Sequence, residues 1–158
     1  MPSTSFPRLV LDTNIWLDWL VFANPEVASI KALVTSGAAE VFIDAHCTNE
    51  LIRVLAYPRT TTTLDADAQA ECLAECRKHA RQWINPQAHA TQSSEAGARL
   101  PICRDADDQK FLELARDCGA TYLITRDHDL LLLARRRIRA TPFCIVTPGQ
   151  FTAMLHPA

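Results

Sequence analysis

Short apolar runs alternate along the chain with longer stretches of helical period. Arg8 to Leu11, Glu40 to Ile43, Ala120 to Thr125 and Phe143 to Val146 each have the length and β-branched content of a buried strand. Apolar positions recur every three or four residues over Val27 to Val34, His46 to Tyr57, Ala66 to Trp83, Asp107 to Cys118, Leu130 to Arg136 and Gln150 to Leu155, and these segments are expected to be helices. Strands of this kind separated by helices require crossover connections and a sheet covered on both faces. The expected fold class is therefore α/β, a three-layer α/β/α domain around a mostly parallel central sheet of about four or five strands. Gly119 predicts a helix C-cap, while Pro58 and Pro148 mark a helix end and a helix start. The stretch Ala88 to Arg99 reads as a surface connection too short to separate two domains, so residues 1–158 are expected to form a single domain with its core over about residues 8–155.

Composition narrows the class. Hydrophobic residues make up 48% and charged residues 22% of 158, which is globular and argues against disorder or a coiled coil. Asp12, Asp18 and Arg126 to Asp129 interrupt the richest apolar runs, so no membrane helix is expected. Met1 to Pro7 lacks an apolar signal core, and a cytoplasmic location is the expectation. The six cysteines, spread through apparent helices and strands, are then expected to be free thiols. Four isolated glycines exclude a Walker loop and a dinucleotide fingerprint, hence a nucleotide cofactor of those types.

Ligands of an open parallel sheet gather outside the carboxyl ends of its strands. Asp12 closes the first run, and Asp127 follows Tyr122-Leu123-Ile124-Thr125 with one residue between. Either aspartate alone is equally well explained as a turn or capping residue. The helical acids are more informative. Glu50 shares a stripe with Cys47, Val54 and Tyr57, and Asp108 with Phe111, Leu112 and Ala115, so both carboxylates are expected to face inward. An ionised carboxylate is costly there unless it meets a cation, and neither helix places Lys or Arg on the same stripe. The helix dipole explains the position of Asp108 but not its inward face. Four acids from two strand ends and two helices, with no His/Cys set at zinc spacing, suit Mg²⁺ or Mn²⁺ and phosphodiester chemistry. A scatter of ion-paired structural acids is the competing reading.

These residues carry a resemblance to the PIN-domain ribonucleases. It runs through Leu9-Val10-Leu11-Asp12-Thr13-Asn14, Asn49-Glu50-Leu51, Arg104-Asp105-Ala106-Asp107-Asp108-Gln109-Lys110-Phe111-Leu112 and Leu123-Ile124-Thr125-Arg126-Asp127-His128-Asp129-Leu130. The ending Ile145-Val146-Thr147-Pro148-Gly149-Gln150-Phe151 is similar to the VapC-like subgroup, the toxin components of toxin–antitoxin pairs. Four acidic motifs in this order are specific, although each is weak alone. The resemblance implies that Asp12, Glu50, Asp108 and Asp127 are the catalytic, metal-holding carboxylates. It makes Asp105 and Asp129 auxiliary acids, and places Asn14 and Thr125 as polar groups that orient the pocket. It implies Mg²⁺- or Mn²⁺-dependent hydrolysis of RNA, leaving 5′-phosphate and 3′-hydroxyl ends, with a cognate antitoxin as protein partner. Arg126 departs from the glycine common in the subgroup.

Net charge is −2 with pI near 6.2, so a global basic footprint is absent. If Asp12, Glu50, Asp105, Asp108, Asp127 and Asp129 share one metal pocket, 12 acids remain against 16 Lys and Arg, a surface balance of +4. Arg135, Arg136, Arg137 and Arg139, with Arg104 and Arg126, are either RNA-phosphate contacts or a solvated helix end complementing its dipole. Trp16 and Trp19, three apart on one helical face, suit core packing, with a homodimer or antitoxin interface as the second reading. Cys72, Cys76 and His79 share a helix face, but without a fourth ligand they read as core thiols beside a satisfied histidine. His128 reads as a loop histidine. Three further functions compete with the ribonuclease. A Toprim-like nuclease would use Glu50 with Asp127 and Asp129, but Glu50 lacks that family's following glycine. A non-catalytic PIN-like module binding RNA or protein would be expected to have lost an acid. A haloacid-dehalogenase-like phosphatase needs a second acid where Asn14 stands.

Overall fold

A computed structural model of the protein describes residues 5–59, 63–84, 100–135 and 141–156. Ala88 to Arg99, Arg136, Arg137 and Arg139 lie outside the described residues. The chain runs β1 (Arg8–Leu11), α1 (Thr13–Leu20), a 3₁₀ turn (Pro25–Val27), α2 (Ala28–Thr35), β2 (Glu40–Ile43), α3 (Ala45–Leu55), α4 (Ala66–His79) and β3 (Ala80–Gln82). A second 3₁₀ turn (Ala106–Asp108), α5 (Gln109–Asp117), β4 (Tyr122–Ile124), α6 (His128–Ala134), β5 (Cys144–Val146) and α7 (Pro148–Leu155) follow.

The five strands among the described residues are all parallel, in the order β3-β2-β1-β4-β5. The sheet is flanked by helices: α1, α3 and α4 touch one another, while α2 meets α7. Leu9, Val10, Val41, Leu123 and Ile124 are fully buried, as parallel strands covered on both faces must be. Such side chains contribute about 1.5–3 kcal/mol each on burial, the bulk of the cohesion here.

Local chemistry sets the helix starts. Asp44 accepts from Cys47 N at 2.9 Å, Asp65 from Ala68 N at 2.8 Å and Asp127 from Leu130 N at 3.1 Å. Thr147 and Gln150 form a capping box around Pro148. Gly119, at φ +68°, ends α5 as its lack of a Cβ permits.

One expectation needs correction, and one second reading falls away. The helix over Ala66 to Trp83 stops at His79, and Ala80–Gln82 pairs with Val41–Ile43 as the edge strand β3. The exposed edge of β2 offers a hydrogen-bond ladder that outweighs the local helical period, and Trp83 N extends it to Ile43 O at 2.7 Å. Trp16 and Trp19 are 1% and 6% exposed, their rings stacked at 5.2 Å, so they belong to the core and present no interface. No helix among the described residues is long and apolar enough to cross a membrane.

Candidate active site

The sheet order places a topological switch point between β1 and β4, because the chain winds outward in opposite directions from these two neighbours. Ligands of open parallel sheets bind outside the carboxyl ends of the strands at such a point. Asp12 and Thr125 follow β1 and β4 immediately, and Asp12 N donates to Ile124 O at 3.0 Å. Helix α1 begins at once, since Asp12 O accepts from Ile15 N and Trp16 N. The Asp12 side chain caps nothing and is 4% exposed. It accepts instead from Thr125 Oγ1 at 2.7 Å, and that hydroxyl accepts from Asp127 N at 2.9 Å. Thr125, fully buried, thereby ties the two strand-end aspartates into one unit.

Asp108 closes the second 3₁₀ turn, half-buried, and its side chain makes no capping bond to α5. The preceding segment is pinned by Gln109, whose amide accepts from Cys103 N at 2.7 Å and donates to Pro101 O at 3.1 Å. Burial, then the charges of Asp127, Asp12, Asp105 and Glu50, push the Asp108 carboxyl up to about 7. Burial likewise raises Asp12 against the opposing bond from Thr125, with Asp127 and Glu50 adding repulsion. The four acids of the sequence motifs thus share one electrostatic neighbourhood. They are not drawn to ligand distance, and among the described residues no three His, Cys, Asp or Glu form a group able to hold a metal ion as their side chains stand. The donor set itself, hard carboxylates short of positive charge, fits Mg²⁺ or Mn²⁺.

Glu50 differs from the other three. Its Oε1 accepts from Lys110 Nζ on α5 at 2.8 Å, its Oε2 accepts from Thr13 Oγ1, and Arg53 stands 3.9 Å away. The sequence expectation of an acid with no local cation therefore gives way to an ion pair across helices. Lys110 and Thr13 both stand within the acidic motifs, but only tertiary packing assigns them a partner.

The auxiliary positions divide. Asp105 is exposed and caps the 3₁₀ turn through Asp107 N at 3.0 Å, while adding its charge to Asp108. Asp129 lies half-buried in the first turn of α6, and Asn14 is exposed on α1. Arg104 and Arg135 are exposed. Arg126 is a clamp: Nη1 bonds Asp18 on α1 and Nη2 meets Glu26 at 2.6 Å. Its φ is not positive, so the backbone here has no need of glycine. Arg126→Ala is expected to lower stability by about 1–2 kcal/mol, since it strands the buried Asp18 carboxylate at a partly exposed pair. Thermal denaturation reads this, with Asp18→Asn added to Arg126→Ala recovering part of the loss; an unchanged melt for the single variant would dismiss the clamp.

Cys72, Cys76 and His79 behave as packing groups. Cys76 is buried, Cys72 donates to Leu20 O at 3.6 Å, and His79 bonds Glu75 at 2.8 Å beside the Trp19 ring. All six cysteines are free.

The sequence matches the family model for the PIN domain over residues 8–129, a span that holds all four acids. The chain belongs to the PIN domain family. Among solved structures, this PIN domain is similar to VapBC2 from Rickettsia felis bound to a DNA fragment from its promoter, with 10% identity, a TM-score of 0.55, and 89% of this chain and 98% of that chain covered. At that identity the likeness concerns the fold. No curated relative matches the sequence.

Proposed function

We propose that this PIN domain is a Mg²⁺- or Mn²⁺-dependent endoribonuclease and the toxin of a toxin–antitoxin pair, acting inside the cell as one domain over residues 1–158. The carrying observation is the Asp12–Thr125–Asp127 unit at the switch point, faced by Asp108 in the same field of negative charge. Asp12, Asp108 and Asp127 would hold the cation, which supplies water activation and stabilisation of the negative charge developing at the cleaved phosphate. Thr125 Oγ1 fixes the Asp12 rotamer and the Asp127 backbone, so these two anions are oriented before substrate arrives. Arg104 and Arg135, both exposed, are available to RNA phosphates. The toxin assignment is supported by the VapC-like motifs and by the likeness to VapBC2, and the partner it implies is an antitoxin protein.

The test is incubation of the purified protein with a labelled pool of single-stranded and structured RNAs in Mg²⁺, in Mn²⁺ and in EDTA. Internal cuts with 5′-phosphate ends are expected with either metal and none with EDTA. Cuts that persist in EDTA, or none under any condition, would remove the metal-dependent ribonuclease.

A further inference from the structure

Glu50 is the one acid of the four whose two oxygens both already serve as acceptors, Oε1 from Lys110 Nζ at 2.8 Å and Oε2 from the Thr13 hydroxyl. The pair is sequestered, with side-chain exposure of 14% for Glu50 and 19% for Lys110. It joins the middle of α3 to the first turn of α5, the helix that begins beside Asp108. Thr13, next to Asp12, joins the same carboxylate to the start of α1. Glu50 can enter a metal's coordination shell only by giving up at least one charge-assisted hydrogen bond or the hydroxyl. Breaking the first would leave a largely desolvated ammonium beside an incoming dication. Among the described residues Asp12, Asp108 and Asp127 carry no such cation, and two of them are held in a field that opposes their ionisation.

We propose that Lys110 takes the place of a second metal ion: the site binds one divalent cation through Asp12, Asp108 and Asp127, and Glu50 is the counter-ion that positions Lys110. The proposal rests on the metal-dependent reading above and specifies its stoichiometry. Glu50 is thus a positioning residue, and Lys110 supplies at its carboxylate the positive charge that a second metal ion would otherwise bring.

Calorimetric titration of the full chain with Mn²⁺ decides between these arrangements, with no RNA present. Wild type is expected to bind one ion. Glu50→Gln with Lys110→Met replaces a neutral pair by a neutral pair, and should still bind one ion with Kd changed less than fivefold. Lys110→Arg should match wild type, whereas Lys110→Met alone frees Glu50 and should add a second, weaker binding event. Two ions in wild type falling to one in the double variant would overturn the proposal. So would a double variant weakened fivefold or more, or a Lys110→Met protein that still binds one. Two ions in wild type would leave the metal-dependent reading intact, while no binding to wild type would end both.

Discussion

Asp12→Asn is expected to reduce RNA cleavage by at least about a thousandfold, in line with the several kcal/mol of charge stabilisation that a bound cation supplies. The folded metal-free protein should at the same time be no less stable. Asparagine retains an oxygen that can accept from Thr125 Oγ1, which in the native protein donates to Asp12 Oδ2 at 2.7 Å. What it removes is an anion at a site 4% exposed, penalised by burial and by the charges of Asp127 and Glu50. Melting in EDTA should therefore rise by about 2 °C or more, since each kcal/mol shifts a domain of this size by about 2–4 °C. A gain in stability with loss of activity separates a functional carboxylate from a structural one. Undiminished cleavage by Asp12→Asn would remove Asp12 from the site, and a marked drop in melting temperature would show that its charge holds the fold together.

Half of this site is legible in the amino-acid sequence through the strand-end rule, because Asp12 and Asp127 sit at or just after apolar runs and the crossover pattern requires a parallel sheet. Their adjacency follows from β1 pairing with β4, a strand order that winding outward from two central neighbours produces. Helical period locates the other two acids, but it says nothing of their surroundings. Glu50 finds Lys110 across 60 residues, and Arg126 finds Asp18 across 108, distances over which no stripe or spacing carries a signal. The short edge strand Ala80–Gln82 is hidden for a related reason: its Arg81 and Gln82 are exposed and polar, and only the neighbouring edge of β2 makes them a strand. The spacing of Trp16 and Trp19 leaves a surface position open to them, yet α4 lays His79 against Trp19 and the pair is enclosed. Local pattern therefore identifies most of the elements and their chemistry, and long-range pairing decides which charges are already satisfied.

Divalent-ion affinity is expected to rise about tenfold between pH 6 and pH 8, because the ion must displace a proton from Asp108. The carboxyl is pushed up to about 7 by burial first and then by Asp127, Asp12, Asp105 and Glu50. At pH 6 about nine-tenths of the metal-free protein carries this proton, and at pH 8 about one-tenth. Titrations in two buffers of different ionisation enthalpy should accordingly show about 0.9 proton released per ion at pH 6 and about 0.1 at pH 8. Without metal the sign for folding is opposite. The folded state binds the proton between the ordinary value of 3.8 and about 7, while the unfolded chain does not, so stability from this group is present near pH 4 and is lost as pH rises to 7. Asp108 is half-exposed, which reduces the loss to about 1–2 kcal/mol through solvent screening. Asp108→Asn should remove that slope in EDTA and make the metal-free protein more stable at pH 8 than wild type. An affinity for Mn²⁺ equal at pH 6 and pH 8 would mean that Asp108 is not displaced from its proton by the ion, and the cation would have to be held by Asp12 and Asp127 without it.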